Sequence, residues 1–149
     1  MATINVSKQV GSPTDVVFER FTDIEGIPGR LSRVKSIEML TPGAFRLGTR
    51  WRETREVLGR LDTSDMEVTA YERNRTYTIT HRRLGARIDT TFTFEPVNGG
   101  TRVNVELNLS GPGMPPGLLA PVEWVLAGKV REVLSRDLTE LTDAVQRAA

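Results

Sequence analysis

Apolar and polar residues alternate with a period of two from about residue 34 to residue 109. This alternation is typical of strands that bury one face and expose the other. Turn residues such as Pro42-Gly43 and Asn98-Gly99-Gly100 separate the alternating stretches, and such short links indicate an antiparallel meander. We therefore predict six consecutive strands, at about 34–41, 49–58, 61–71, 75–83, 86–95 and 101–109.

Two further elements precede the meander. Ile4, Val6 and Val10 are spaced as in a strand. The following Ser12-Pro13-Thr14-Asp15 is typical of a helix start, because its serine can cap the helix and its proline suits the first helical position. Glycines and a proline interrupt the next stretch, so at most one more short helix is expected over about 24–31.

A long helix is predicted at the C-terminal end, from about residue 118 to residue 148. It follows a segment rich in glycine and proline, 111–117, that suits neither helix nor strand. The helix carries one apolar stripe at three- and four-residue spacing. Its members are Leu126, Val130, Val133, Leu134, Leu138, Leu141 and Val145.

The strand alternation sorts the meander into one polar and one apolar face. The apolar face takes Met66, Val68, Ala70, Tyr77, Ile79, His81, Ile88, Phe92, Phe94, Val103, Val105, Leu107 and Leu109. In strand 49–58, Trp51 and Val57 favour the register that also places Glu53 and Arg55 on the inner side. The predicted fold class is α+β, with a curved antiparallel sheet that grips the long helix and encloses an apolar cavity.

Length and composition exclude several classes of site and of partner. A length of 149 residues suits a single domain over 1–149, and the absence of cysteine excludes disulfides and thiolate metal sites. A net charge of +1 does not indicate nucleic-acid binding. The chain has neither a signal-like start nor an apolar run near the ~20 residues of a membrane span. We expect a cytoplasmic monomer or homodimer without stable membrane insertion, metal or cofactor.

The order of elements, together with several short motifs, resembles the START-like helix-grip superfamily of Bet v 1-type allergens and bacterial polyketide cyclase/dehydrase-like proteins. The resemblance lies in Ser12-Pro13-Thr14-Asp15-Val16-Val17-Phe18, Val34-Lys35-Ser36-Ile37-Glu38, Gly48-Thr49-Arg50-Trp51-Arg52-Glu53 and Asn98-Gly99-Gly100-Thr101-Arg102-Val103. It implies that a mostly apolar small molecule, a lipid or an aromatic polyketide-like compound, binds in the cavity. It also implies two alternatives, a polyketide cyclase or dehydratase acting in the same cavity and a protein-interaction module.

Three polar residues are predicted on the inner face. His81 can move protons near neutral pH, Glu53 can orient it or act as a base, and Arg55 can pair with an enolate or carboxylate. The alternative is structural, in which Glu53 and Arg55 form an ion pair that His81 joins by a hydrogen bond. The candidate catalytic residues are His81 and Glu53. The candidate ligand-binding residues are Trp51, Glu53, Arg55, Met66, Tyr77, Ile79, His81, Phe92, Val105, Leu126 and Val130.

The cavity entrance is predicted at one end of the meander. Leu58 and Leu84 each stand beside a hairpin glycine, where a turn is ordinarily polar, and the loop at 111–117 belongs to the same end. Met114 and Leu118 complete this predicted apolar rim. The nearby arginines could attract an acidic group of a ligand or remain solvated on the surface; they are Arg82, Arg83 and Arg87.

Overall fold

The computed structural model describes residues 2–57, 59–83, 85–111 and 120–148, with the side chains of the last range described from 128 to 147. The helices are α1 (Thr14–Thr22), a 3-10 helix (Ile24–Gly29) and α2 (Ala120–Ala148). The strands are β1 (Ala2–Val10), β2 (Val34–Met39), β3 (Arg50–Val57), β4 (Arg60–Glu72), β5 (Thr76–Arg83), β6 (Ala86–Val97) and β7 (Gly100–Ser110). Each meander strand begins and ends within two residues of the predicted position.

The seven strands form one antiparallel sheet in the order β1-β7-β6-β5-β4-β3-β2. Strands β2 to β7 therefore lie side by side in chain order, with β2 at one edge of the sheet. Strand β1 pairs with β7 and forms the other edge. Helix α2 packs against β1 and touches α1. This arrangement confirms the predicted fold class. Within the described residues, none of the helices combines the length and the apolar character needed to cross a membrane.

The start of α1 differs from its prediction. The helix begins at Thr14 and no side chain caps it, so the prediction that Ser12 acts as the cap is wrong. Ser12 is buried, and its carbonyl oxygen instead accepts a hydrogen bond of 2.8 Å from Thr101 Oγ1. Thr101 also shares a hydrogen bond with the Thr14 hydroxyl. The entry to α1 is thus held by β7, a contact between residues distant in the sequence.

A β-bulge in β4 changes which residues face inward. The pairing with β5 shifts register between Val68 and Ala70, so Ala70 lies opposite Thr78 and Tyr71 lies opposite Tyr77. Ala70 is exposed, although the alternation predicted it on the inner face. An extra residue in one strand reverses the alternation beyond it, which is why Tyr71 takes the inner position.

The tightest part of the core lies under α1. Phe18 packs edge-on against Phe94 at a centroid distance of 5.1 Å, and Tyr77 stacks on Phe92 at 4.8 Å. Phe21 extends the same aromatic group toward Phe92. Because α1 and these rings fill one part of the sheet's inner face, the space that remains lies between the sheet and α2.

We predict that Gly100→Ala destabilises the fold. A Cβ at Gly100 would meet the carbonyl oxygen of Val10, and backbone atoms cannot move aside as a flexible side chain does. We expect a loss of about 1–3 kcal/mol in the free energy of unfolding, measured by urea denaturation. The matched control is Gly128→Ala in α2, where nothing obstructs a Cβ and the helix should gain up to about 1 kcal/mol. Equal stabilities of the two variants would contradict the prediction.

Candidate functional site

The described residues line a cavity of about 290 Å³ between the inner face of the sheet and α2. Ten of the predicted ligand-binding residues line it: Trp51, Glu53, Arg55, Met66, Tyr77, Ile79, His81, Phe92, Val105 and Val130. The eleventh, Leu126, lies outside the described side chains. The structure therefore brings the candidates together around one space, while their role in ligand binding stays a prediction.

The wall of the cavity is divided into an apolar and a polar part. The apolar part adjoins the core under α1 and includes Phe21, Ile24, Ile27, Trp51, Met66, Tyr77, Ile79, Phe92, Val105, Leu138 and Leu141. The charged residues of the sheet that line the cavity lie on strand segments next to the β3–β4 and β5–β6 hairpins; they are Glu53, Arg55, Asp62 and Arg83. Val57 and Ile88 line the cavity at the same end, so the charges there form a polar patch in a mostly apolar wall.

Arg55 joins two carboxylates across the polar part of the cavity. Its Nε lies 3.0 Å from Oε2 of Glu53, and its Nη1 lies 3.0 Å from Oδ2 of Asp137. The side chains are 23 % exposed for Arg55, 8 % for Glu53 and 14 % for Asp137. This carboxylate–guanidinium–carboxylate bridge connects β3 to α2, and it places the Glu53–Arg55 ion pair of the structural interpretation inside the protein.

Sequence reasoning missed Asp137. The residue stands three positions after Leu134 and four before Leu141, which puts it on the inner stripe of α2. A charged residue at a stripe position needs a partner when it is buried, and Arg55 on β3 was the cation predicted inside. That combination was the signal in the sequence that could have identified the bridge.

The bridge carries a net negative charge in surroundings poor in water. Burial raises the pKa of Asp137, and Arg55 opposes this rise. For Arg55 burial works against the charged form, yet Glu53 and Asp137 together hold its pKa above the ordinary value. Two carboxylates therefore share one guanidinium, and this guanidinium stays charged across the pH range in which the protein would be studied.

His81 lines the cavity on β5 beside this bridge. Burial lowers the pKa of His81, and the charges of Glu53 and Arg55 act on it in opposite directions. In the described ranges, no hydrogen bond joins the imidazole to Glu53 or to Arg55, so the hydrogen bond predicted between His81 and the ion pair is not present there. Because its pKa is lowered, the imidazole is neutral at pH 7, and it lines the space where a ligand would lie.

Residues 1–146 match the profile of a family described as polyketide cyclase/dehydrase and lipid transport. The chain belongs to this family. No curated protein matches it.

Several solved structures share the fold of this family member at low identity. A protein of Thermus thermophilus has a TM-score of 0.82 and 19 % identity, with 99 % of each chain covered. The Zhui aromatase/cyclase of Streptomyces sp. R1128 has a TM-score of 0.81 and 14 % identity over 98 % of this chain and 94 % of that one. A START superfamily protein of Mycobacterium smegmatis has a TM-score of 0.77 and 18 % identity, with 99 % of each covered. These likenesses show the fold alone.

The structure does not test the predicted entrance, because Leu58, Leu84, Met114 and Leu118 lie outside the described residues. The three arginines near it do not form one cluster. Arg83 turns inward, where its Nη1 lies 3.2 Å from Oδ2 of Asp62 at the cavity wall. Arg82 and Arg87 face each other across β5 and β6 on the outer side of the sheet.

We predict that Arg55→Met destabilises this family member at pH 7 and that acid partly reverses the loss. Without the guanidinium, Glu53 and Asp137 are left as two buried carboxylates. Removing one partner of a buried pair costs about 3–5 kcal/mol, and the partial exposure of Arg55 argues for the lower part of this range. Burial raises the pKa of Asp137, and without Arg55 the main opposing influence is gone, so the stability of the variant rises as the pH falls through this pKa.

Urea denaturation of Arg55→Met at pH 7 and pH 5 measures this effect. The matched control is Arg52→Met, which removes a guanidinium from an ion pair with Asp65 on the exposed face of the sheet. That variant should lose no more than about 1 kcal/mol, since exposed ion pairs contribute little. A pH-independent loss in Arg55→Met would show that packing and not charge explains it.

Proposed function

We propose that this protein binds a mostly apolar small molecule, a lipid or an aromatic polyketide-like compound, in the cavity between the sheet and α2. The observation that carries the proposal is the cavity of about 290 Å³ itself, with its apolar wall and its few convergent polar groups. Protein interiors are close-packed, so few voids exceed the size of a water molecule. A large apolar pocket with a small set of polar residues is the usual form of a ligand site.

The aromatic wall supports a flat ligand body. Tyr77 and Phe92 stack with an interplanar angle of 20° and both line the cavity, so aromatic rings form part of its wall. Burial raises the pKa of Tyr77, so its hydroxyl keeps its proton and can donate a hydrogen bond. Aromatic surfaces of this kind suit fused rings and alkyl chains alike.

A protein-interaction module is the less well supported alternative. Such a module would need an exposed apolar patch in place of a cavity. Large exposed apolar side chains occur at Val16 on α1, at Leu40 and Leu47 between β2 and β3, and at Leu61 on β4. Within the described residues they are distributed over separate elements, whereas the apolar surface of the cavity is continuous.

Filling the cavity should prevent ligand binding without unfolding the protein. Ile79 lines the cavity and is only partly buried, so Ile79→Trp can place its indole in the empty volume. We expect native mass spectrometry of the purified wild type to show a co-purified small molecule, and Ile79→Trp to lose it while keeping the circular dichroism of the wild type. The control is Leu61→Trp, on the outer face with 69 % of its surface exposed. Retention of the ligand by Ile79→Trp would contradict a site in this cavity.

Catalysis in the same cavity is the second candidate, and His81 is the residue that favours it. A neutral imidazole facing a substrate can take a proton from an activated carbon, as cyclisation and dehydration require. Glu53 is less suited to the role of base predicted for it, because one of its oxygens binds Arg55. The proposal therefore assigns the proton transfer to His81 and leaves the bridge to hold the polar end of the cavity.

If the protein is an enzyme, His81→Ala should abolish turnover of a poly-β-ketone substrate while binding, measured by calorimetry, persists. His81→Gln serves as the control for shape, since it keeps a hydrogen-bonding side chain that cannot move the proton. Because the pKa of His81 is lowered, the acid limb of the wild-type rate should lie below the ~6.5 of an ordinary histidine. Full activity in His81→Ala would exclude it as the base.

A further inference from the structure

The charges at the polar end of the cavity bear on which head group a ligand can place there. Glu53 and Asp137 contribute two carboxylates and Arg55 one guanidinium, so the least exposed charges of the wall sum to −1. We propose that the ligand places a hydrogen-bond donor without negative charge, a hydroxyl or a protonated amine, against Glu53 and Asp137, and that the cavity discriminates against carboxylates. This inference rests on the proposed function and specifies its ligand class.

Each carboxylate of the bridge has one oxygen that Arg55 does not bind. Arg55 binds Oε2 of Glu53 and Oδ2 of Asp137, each at 3.0 Å. No described residue donates a hydrogen bond to the second oxygen of either carboxylate, and both side chains line the cavity. These oxygens keep some contact with solvent, so a ligand O–H or N–H that reaches them replaces water with a charge-assisted hydrogen bond.

Arg55 is already paired with two carboxylates of the protein. A ligand carboxylate at this end would be a third anion around one guanidinium whose Nε and Nη1 are already engaged. Like charges in a poorly hydrated site repel strongly and favour neutralisation of one of them. The expectation from the sequence that Arg55 pairs with an enolate or carboxylate of a ligand therefore gives way to one in which it holds the protein's own carboxylates.

The remaining charged groups of the wall do not reverse this selection. Arg83 is paired with Asp62, so the two together add no net charge. Lys129 lines the cavity from α2 but is exposed to solvent, where water and salt weaken its field. His81 is neutral at pH 7 because burial lowers its pKa. The negative sign is thus carried by the three residues of the bridge.

Three probes that share one fused-ring body test the proposal directly: 2-naphthylmethanol, 2-naphthylmethylamine and 2-naphthoate. At pH 7 they present a neutral donor, a cationic donor and an anion. We expect wild-type protein to bind the alcohol and the amine with dissociation constants at least tenfold lower than that of naphthoate, measured by calorimetry. Equal or tighter binding of naphthoate overturns the head-group proposal and leaves the proposed function standing. Failure of all three probes to bind counts against the proposed function itself.

A double variant, Glu53→Gln with Asp137→Asn, reverses the sign of the bridge while keeping Arg55 and the side-chain shapes. It should shift the preference by at least tenfold toward naphthoate, and an unchanged preference overturns the assignment to these carboxylates. The matched control is Asp65→Asn, whose carboxylate binds Arg52 at 2.9 Å on the outer face of the sheet. If circular dichroism shows that the double variant does not fold, the three wild-type affinities decide the proposal alone.

Discussion

One helix cannot cover a seven-stranded sheet, and the architecture of this protein follows from that mismatch. A helix with its side chains is about 10 Å wide, whereas neighbouring strands are about 4.8 Å apart, so α2 alone spans little more than two strands. The rest of the inner face needs other cover. On one side α1 and its aromatic contacts supply it, with Phe18 and Phe21 packed against Phe94. On the other side the curved sheet faces α2 across the cavity.

The Arg55 bridge holds this second side. Apolar packing cannot tie α2 to β3 across an open cavity, but a guanidinium with a long stem can reach from the sheet to Asp137 on the helix. The cost of burying its charge is offset by two carboxylates and by geometry that suits both hydrogen bonds. A second anchor lies one turn further along α2, where the Glu140 carboxylate accepts hydrogen bonds from the backbone and hydroxyl of Ser32. Polar contacts therefore preserve the gap that apolar packing would otherwise close.

The sequence predicted most of the fold because period-two alternation is local, and local patterns survive folding. Trp51, Met66 and Tyr77 face the cavity as the alternation requires. What escaped prediction depends on contacts between distant residues. The bulge that turns Ala70 outward is a property of the pairing between β4 and β5, and Asp137 acquires its role only when α2 lies beside β3. The bulge leaves no mark in one strand alone, and the bridge becomes recognisable only when the stripe position of Asp137 is combined with Arg55 on β3.

The contacts of the inner polar residues bear on whether the cavity serves binding or catalysis. A residue held by strong partners on both sides, as Arg55 is, positions other groups but has little freedom to react. Glu53 is bound through one oxygen, which leaves the other to accept a hydrogen bond from a ligand. His81, the single histidine of the sequence, places a neutral imidazole on the cavity wall. The proposed ligand binding would draw on the whole cavity wall, whereas proton-transfer chemistry would rest on this one imidazole.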